Sequence, residues 1–144
     1  MNPGGVHNPI TPEESKAQMV DAAREIIAAL DLDVLAVKFR HASCNDDGVA
    51  PFRGDLLITY PLAASEEESE AEIATMTEKL RSIGWGSDPN LHTHGTDLTK
   101  NNIVADLGPQ LKGQIRRAIQ LYGECRDITT SQKYGTPYEE VDLG

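Results

Sequence analysis

The sequence predicts an α+β fold: a two-layer sandwich in which two helices pack on an antiparallel sheet of about five strands. Two segments carry apolar residues three and four positions apart, which is the spacing of an amphipathic helix. The other core-forming segments mostly alternate apolar and polar residues, as half-buried strands do. The predicted order is α-β-β-α-β-β-β, and a helix with one apolar stripe needs a sheet face to cover it.

The first helix is predicted over about residues 12–30. Thr11 can act as the N-cap, Pro12 suits the first helical position, and Glu14 stands three residues after the cap, as a capping box requires. The apolar residues that follow share one face at helical spacing: Val20, Ala23, Ile26, Ile27 and Leu30.

The segment SEEESEAEIATMTEKLRSIG, residues 65–84, predicts the second helix. Ser65 is its N-cap and Glu68 completes a capping box, while other acidic residues crowd the first turn, where the helix dipole favours negative charge. Gly84 ends the helix. We interpret the acidic run as a solvated helix start, with an interaction surface as the alternative. The apolar stripe consists of Ile73, Met76, Leu80 and Ile83.

Alternating segments predict the strands. DVLAVKFRH forms the first strand, with Leu35, Val37 and Phe39 on one face, and a hairpin through NDDG leads to the second strand, PFRGDLLITYPL. One face of that second strand carries Leu56, Ile58 and Tyr60. After the second helix, four short segments have a strand-like period: WGSDPNLHT, TDLTK, NIVADL and RRAIQLYGEC.

The length of the chain, 144 residues, predicts one domain, which we place at residues 11–128. Residues 1–10 are rich in Asn, Pro and Gly, which disfavour helix and strand, so they are predicted to form a flexible N-terminal tether. Residues 129–144 are polar and include Gly135 and Pro137, and we predict a loose C-terminal tail there.

The charge of the chain limits its partners. A formal net charge of −10, from 23 acidic and 13 basic residues, repels phosphate backbones and anionic membrane surfaces, so we expect no nucleic-acid partner. No apolar run approaches the roughly 18 residues needed to span a bilayer. One basic cluster, Lys112, Arg116 and Arg117, is interpreted as balancing acidic neighbours, with an anionic ligand as the alternative.

The two cysteines, Cys44 and Cys125, lie at the ends of predicted strands, in the segments ASCND and GECRD. In an antiparallel sheet such ends can meet. No C-x-x-C motif and no Cys/His ligand spacing accompanies them, so zinc is not expected. A structural disulfide is the favoured interpretation, and two buried thiols are the alternative. A disulfide would in turn imply an oxidising compartment.

The sequence lacks the common catalytic and nucleotide-binding motifs, such as G-x-S-x-G, H-E-x-x-H and Walker A. His92 and His94 stand two residues apart, so on a strand both rings would face one side and could bind a metal with Asp88 or Asp97. We favour an exposed His-Gly turn, and predict no catalytic residue, no metal ligand and no cofactor. The weak candidates for an interaction surface are His92, His94, Trp85, Arg116 and Arg117.

Five segments follow one another in a distinctive order: TPEESKAQMVDAAREIIAAL, ASCNDDGVAPFRG, MTEKLRSIGWGSDPN, HGTDLTKNN and LYGECRDITT. Across about residues 8–130 this order resembles the small lipoproteins of mycobacteria and related actinobacteria. In that family a signal peptide ends at a lipidated cysteine, and a Pro/Gly-rich tether then leads to a domain with one cysteine early and one near the C-terminus. Met1 stands where the leader and the lipidated cysteine would be, so we expect the chain to begin just after that cysteine.

The resemblance implies an envelope location, on the extracytoplasmic face of the membrane, and brings no established chemistry with it. The favoured function is therefore a non-enzymatic cell-envelope lipoprotein domain that binds a partner protein or a small ligand at the cell surface. One alternative is an envelope hydrolase that uses His92, His94 and Asp97. The other is a cytosolic regulatory module with two free thiols.

Overall fold

A computed structural model describes residues 8–45, 47–87, 96–130 and 135–143. Within these ranges the chain forms two helices and six strands, which confirms the predicted α+β class and adds one strand to the predicted order. The elements are α1 (Pro12–Leu30), β1 (Ala36–Ser43), β2 (Phe52–Tyr60), α2 (Glu66–Ser82), β3 (Thr96–Lys100), β4 (Ile103–Leu107), β5 (Arg117–Tyr122) and β6 (Glu139–Glu140).

The six strands form one sheet in the order β3-β4-β5-β2-β1-β6, and each neighbouring pair is antiparallel. Because side chains alternate between the two faces of a strand, one face of this sheet collects the large apolar residues. Both helices bury their apolar stripes in the same core as that face. The strand residues of the core include Val37, Phe39, Leu56, Ile58, Leu98, Leu107, Ile119 and Leu121.

The start of α1 is held by the predicted capping box. The Thr11 hydroxyl accepts from the Glu14 backbone N–H at 3.0 Å, and the Glu14 carboxylate accepts from the Thr11 N–H at the same distance. These bonds satisfy two of the donors that a helix start leaves open. The buried face of α1 consists of Ser15, Met19, Ala23, Ile26 and Leu30.

The end of α2 is set by Gly84, as predicted. Gly84 has φ of +106°, which a residue with a Cβ adopts only with strain. The Trp85 N–H donates to the Leu80 carbonyl at 3.0 Å and the Gly84 N–H donates to the Arg81 carbonyl at 3.2 Å, the two bonds of a Schellman motif. Trp85 and Leu80 are both buried, so the motif closes over the core.

Two described segments differ from the sequence prediction. Leu35 keeps the same alternation as Val37 and Phe39, but it precedes β1 at the end of the sheet and is exposed. Residues 135–143, predicted as part of a loose tail, instead line the outer edge of β1. The Thr136 N–H donates to the His41 carbonyl at 2.8 Å, and the unpaired backbone groups of an edge strand explain why a polar segment pairs there.

The disulfide predicted between Cys44 and Cys125 is present, with the two Cα atoms 6.2 Å apart. Strand β2 lies between β1 and β5, and its first residue brings the two ends together. The Cys44 N–H donates to the Pro51 carbonyl at 3.0 Å, and Phe52 exchanges two backbone bonds with Asp127, of 2.6 and 3.1 Å. The buried-thiol alternative is therefore wrong. In the described ranges, neither helix has the length and apolar character needed to cross a membrane.

Substitution Leu80→Ala should lower the free energy of unfolding by about 2–5 kcal/mol, because Leu80 is fully buried between α2 and the sheet. Urea denaturation monitored by circular dichroism measures this change. The matched control is Glu78→Ala at an exposed position of the same helix, which should stay within about 0.5 kcal/mol of the parent. A Leu80→Ala cost as small as that of the control would contradict the packing of α2.

Reduction of the disulfide should lower the free energy of unfolding by about 2–5 kcal/mol, since the bond constrains an unfolded chain over a separation of 81 residues. Urea denaturation with and without reductant gives the difference, and intact mass after thiol blocking reports the bond itself. The double variant Cys44→Ser, Cys125→Ser should unfold like the reduced parent and should not respond to reductant. A parent protein that reductant leaves unchanged would refute a stabilising role.

Candidate functional site: a groove between the helices

A groove of about 510 Å³ lies between the C-terminal end of α1 and the part of α2 from Ala71 to Lys79. Its size falls within the range of small-molecule sites in proteins. The sheet supplies the floor through the last residue of β2 and the first residue of β5. The apolar part of the wall consists of Leu30, Leu32, Pro61, Ala71 and Met76.

The floor of the groove is a stacked pair, Tyr60 and Arg117. The two residues are directly opposite in the register of β2 and β5, so their side chains leave the sheet on the same face. The guanidinium carbon of Arg117 lies 4.5 Å from the centre of the Tyr60 ring, a cation–π arrangement. Tyr60 is 3% exposed and Arg117 is 5% exposed, although both carry polar groups.

The hydrogen bonds of Arg117 are incomplete. Its Nε donates to the Pro61 carbonyl at 2.8 Å, and its Nη2 donates to Glu72 Oε1 at 3.2 Å. Among the described residues, Nη1 of Arg117 and the hydroxyl of Tyr60 have no hydrogen-bond partner, and both atoms are buried. A buried polar atom without a partner costs free energy, and here two such atoms belong to stacked side chains on the floor of one groove.

The Tyr60 hydroxyl is available as a donor. Burial raises its pKa above the ordinary value, an effect that Arg117 opposes and Glu72 reinforces. The hydroxyl is therefore protonated at neutral pH. It can donate one hydrogen bond and accept another, whereas Nη1 of Arg117 can only donate.

The charges around the groove set the kind of ligand that suits it. Asp31, Asp33 and Glu72 are acidic, and Lys79 and Arg117 are basic. Glu72 already forms an ion pair with Arg117. Because the groove has one more acidic than basic group, an uncharged hydrogen-bond acceptor fits its floor better than a free carboxylate does.

A second polar cluster lies on the opposite face of the sheet and is fully bonded. Buried Asp55 accepts from Arg40 Nε and Nη2, both at 2.9 Å, and from Gln120 Nε2 at 2.8 Å. The hydroxyl of Tyr138 also donates to Asp55, at 3.3 Å. The cluster joins β5, β2 and β1 to the C-terminal segment, so its contacts explain a structural role.

A third cluster lies beside the disulfide, where buried Asp127 bonds Thr129 and Thr130. Burial raises the pKa of Asp127, but four hydrogen bonds from those two residues outweigh burial and hold this pKa below its ordinary value. His41 Nδ1 is 3.8 Å from Asp127 Oδ2. Burial lowers the pKa of His41, with Asp127 acting in the opposite direction, so His41 is neutral at neutral pH. The hydrogen bonds from Thr129 and Thr130 to Asp127 hold the turn after Cys125.

Of the interaction candidates predicted from the sequence, the described ones, Trp85, Arg116 and Arg117, lie at different places on the domain. Trp85 is buried and donates from its indole N–H to Glu25 at 3.2 Å, beyond the C-terminal end of α2. Arg117 contacts Glu72 in the first half of the same helix, and Arg116 is exposed beside it. His92 and His94 lie outside the described residues, as does Asp88. In the described ranges, no three His, Cys, Asp or Glu side chains are grouped so as to hold a metal.

A protein-family model described as "Putative lipoprotein LppJ" matches residues 11–143, nearly the whole chain. The chain belongs to the LppJ family. Curated relatives with the same description come from Mycobacterium tuberculosis strains CDC 1551 and H37Rv and from Mycobacterium bovis. Each is 32% identical to this chain over 124 residues, which covers 85% of the chain and 64% of the relative. No solved structure matches.

Membership of the LppJ family confirms the resemblance to mycobacterial lipoproteins and indicates an envelope-associated protein. The chain spans 64% of the length of these LppJ relatives.

The groove itself is absent from the sequence prediction. One signal was available: in RRAIQLY, Arg117 stands at the same alternation as Ile119 and Leu121, both buried, which places a charged residue on the inward face. The partner of that charge could not be read from the sequence. Tyr60 is 57 positions away along the chain and meets Arg117 only through the register of β2 and β5.

Substitution Tyr60→Phe should leave the free energy of unfolding of the ligand-free protein unchanged or raise it by about 1 kcal/mol, because it removes a buried hydroxyl without a partner. Tyr138→Phe is the matched control. It removes a hydroxyl bonded to buried Asp55 and should cost about 1 kcal/mol. Urea denaturation at pH 7 measures both. A clear loss of stability in Tyr60→Phe would show that this hydroxyl has a partner.

Proposed function

We propose that this chain is a non-enzymatic domain of a cell-envelope lipoprotein, exposed on the extracytoplasmic face of the membrane, that binds a small amphiphilic molecule in the groove between α1 and α2. The family supports the lipoprotein part of this proposal. The observation that carries the binding part is the pair of buried, unpartnered polar atoms on the groove floor, Nη1 of Arg117 and the hydroxyl of Tyr60.

The residues of the groove indicate the chemical class of its ligand. A carbonyl, ester or hydroxyl oxygen placed over the floor would accept from Nη1 of Arg117 and exchange a hydrogen bond with Tyr60. A short hydrocarbon chain would occupy the apolar wall, which includes Leu30, Leu32 and Met76. Burial of that chain supplies the main driving force, and the two hydrogen bonds select its polar end.

Access to the floor requires a side chain to move, because both unpartnered atoms are closed to solvent. Glu72 is the rim residue best suited to do so. It lies on the outer side of Arg117, its side chain is half exposed, and one ion pair of 3.2 Å holds it. The pair joins the buried guanidinium of Arg117 to a half-exposed carboxylate, so a shift of Glu72 has a cost, which a ligand oxygen that accepts from Arg117 would offset in part.

A further observation supports the compartment. The Cys44–Cys125 disulfide fits an oxidising compartment and removes the free thiols on which the cytosolic alternative depends. Of the residues named for the hydrolase alternative, Asp97 lies on β3, outside the groove lining, whereas His92 and His94 are outside the described residues, so that alternative stays untested.

Displacement of the fluorescent probe N-phenyl-1-naphthylamine by monodecanoin, an uncharged ester with a ten-carbon chain, tests the binding. We expect monodecanoin to displace the probe from the parent protein. In Tyr60→Phe its affinity should fall by about tenfold, the effect of one lost hydrogen bond of about 1.4 kcal/mol.

Two controls show whether binding occurs in the groove. Tyr138→Phe changes the same kind of residue on the opposite face of the sheet and should bind like the parent. Ala71→Trp fills the groove from an exposed position of α2 and should abolish displacement. If Ala71→Trp and Tyr60→Phe both bind monodecanoin as the parent does, the ligand binds elsewhere and the proposal is wrong.

A further inference from the structure

Exposed aliphatic side chains are concentrated at one end of the molecule. Among the described residues, four of the six large hydrophobic residues that are exposed lie there, and Ile115 is 77% exposed. We name this group the end patch. It consists of Leu35, Leu62, Leu111 and Ile115.

The register of the sheet places the four residues of the end patch at the same end of the molecule. Ala36 is opposite Thr59 and Tyr60 is opposite Arg117, so the start of β1, the end of β2 and the start of β5 share one end of the sheet. The Gln110 side chain joins two of the loops. It accepts from the Ala63 N–H at 2.8 Å and donates to the Ala63 carbonyl at 3.2 Å.

Two segments of opposite charge lie at this end. The loop of residues 109–116, PQLKGQIR, carries Lys112 and Arg116 and has no acidic residue. The start of α2 follows Leu62 by only a few residues and exposes Glu66, Glu67 and Glu68. The end patch therefore has a basic loop and an acidic helix start as neighbours, within a chain whose net charge is −10.

We propose that the end patch is the interface of a two-fold symmetric dimer of this chain. In such an interface the same patch faces itself, so each residue pair occurs twice. The two-fold axis would place the basic loop of one copy against the acidic helix start of the other, with the aliphatic side chains between them. An exposed apolar patch bordered by polar groups is typical of a protein interface.

The charges favour a second copy over an anionic lipid surface. The three glutamates at the start of α2, together with exposed Asp31 and Asp33, outnumber Lys112 and Arg116 at this end and would repel anionic headgroups. In a dimer the same acidic and basic groups attract one another across the axis. The inference does not depend on ligand binding in the groove, although Leu62 and Arg116 adjoin the groove residues Pro61 and Arg117.

Sedimentation equilibrium of the 144-residue chain, from about 1 μM to about 1 mM, tests the proposal. We expect a monomer–dimer equilibrium that Leu111→Ser with Ile115→Ser weakens by at least about tenfold. The matched control is Val49→Ser, an exposed aliphatic residue at the opposite end of the sheet, between β1 and β2, which should not change the equilibrium. Circular dichroism confirms that each variant keeps its fold.

Charge reversal gives a second, independent readout. Lys112→Glu with Arg116→Glu, and separately Glu66→Lys with Glu67→Lys, should each produce a monomer, because the two-fold axis then brings like charges together. A mixture of the two variants should form a heterodimer, since acid again faces base on both sides of the axis.

Three outcomes would overturn the proposal. The first is a parent that stays monomeric over the whole concentration range. The second is a dimer that the serine substitutions leave intact, and the third is a pair of reversal variants that do not combine. Flotation with vesicles of phosphatidylglycerol and phosphatidylcholine tests the alternative that the end patch binds a membrane. Parent binding that the serine variant loses, without any dimer, would assign the end patch to a membrane instead.

Discussion

The close approach of α1 to the sheet, at a pair of glycines, is the constraint on which the rest of the domain depends. Gly54 in β2 and Gly123 after β5 are joined by a backbone hydrogen bond of 2.9 Å, and Met19 of α1 lies directly over them. A Cβ at Gly54 would come within 2.4 Å of Met19 Cγ, and a Cβ at Gly123 within 2.7 Å of its Sδ. A larger residue at either position would require the Met19 side chain to move or α1 to withdraw from the sheet.

The disulfide and the start of α1 lie at the same end of the molecule as the glycine pair. These three constraints therefore act together. The Ile10 N–H donates to the Arg126 carbonyl at 3.0 Å, next to Cys125. With its first turns fixed in this way, α1 can lie in one direction over the sheet, and its last residues reach Tyr60. Helix α2 begins separately, at its own cap. The two helices therefore leave a groove between them, with the Tyr60–Arg117 pair at its floor.

Local features of the chain could be predicted from the sequence, whereas features that depend on strand register could not. The caps at Thr11 and Ser65 and the stop at Gly84 involve residues only a few positions apart, so their signals are complete within a short segment. The stacking of Tyr60 on Arg117 and the pairing of residues 135–143 with β1 arise only when distant strands align. The disulfide was predictable in part, because the chain has just two cysteines and both follow strands.

Two buried charged residues in this domain, Asp55 and Arg117, differ in how fully the chain satisfies their hydrogen bonds. Asp55 accepts hydrogen bonds from three different side chains, so its burial is compensated within the chain. Arg117 is buried to a similar degree, yet its Nη1 and the adjoining Tyr60 hydroxyl have no hydrogen-bond partner among the described residues. A fold under selection for stability alone would replace such a pair with apolar residues, since an unpaired buried donor costs about 1–3 kcal/mol. The cost of burying these two atoms without partners is the physical reason to look for a ligand in this groove and not at Asp55.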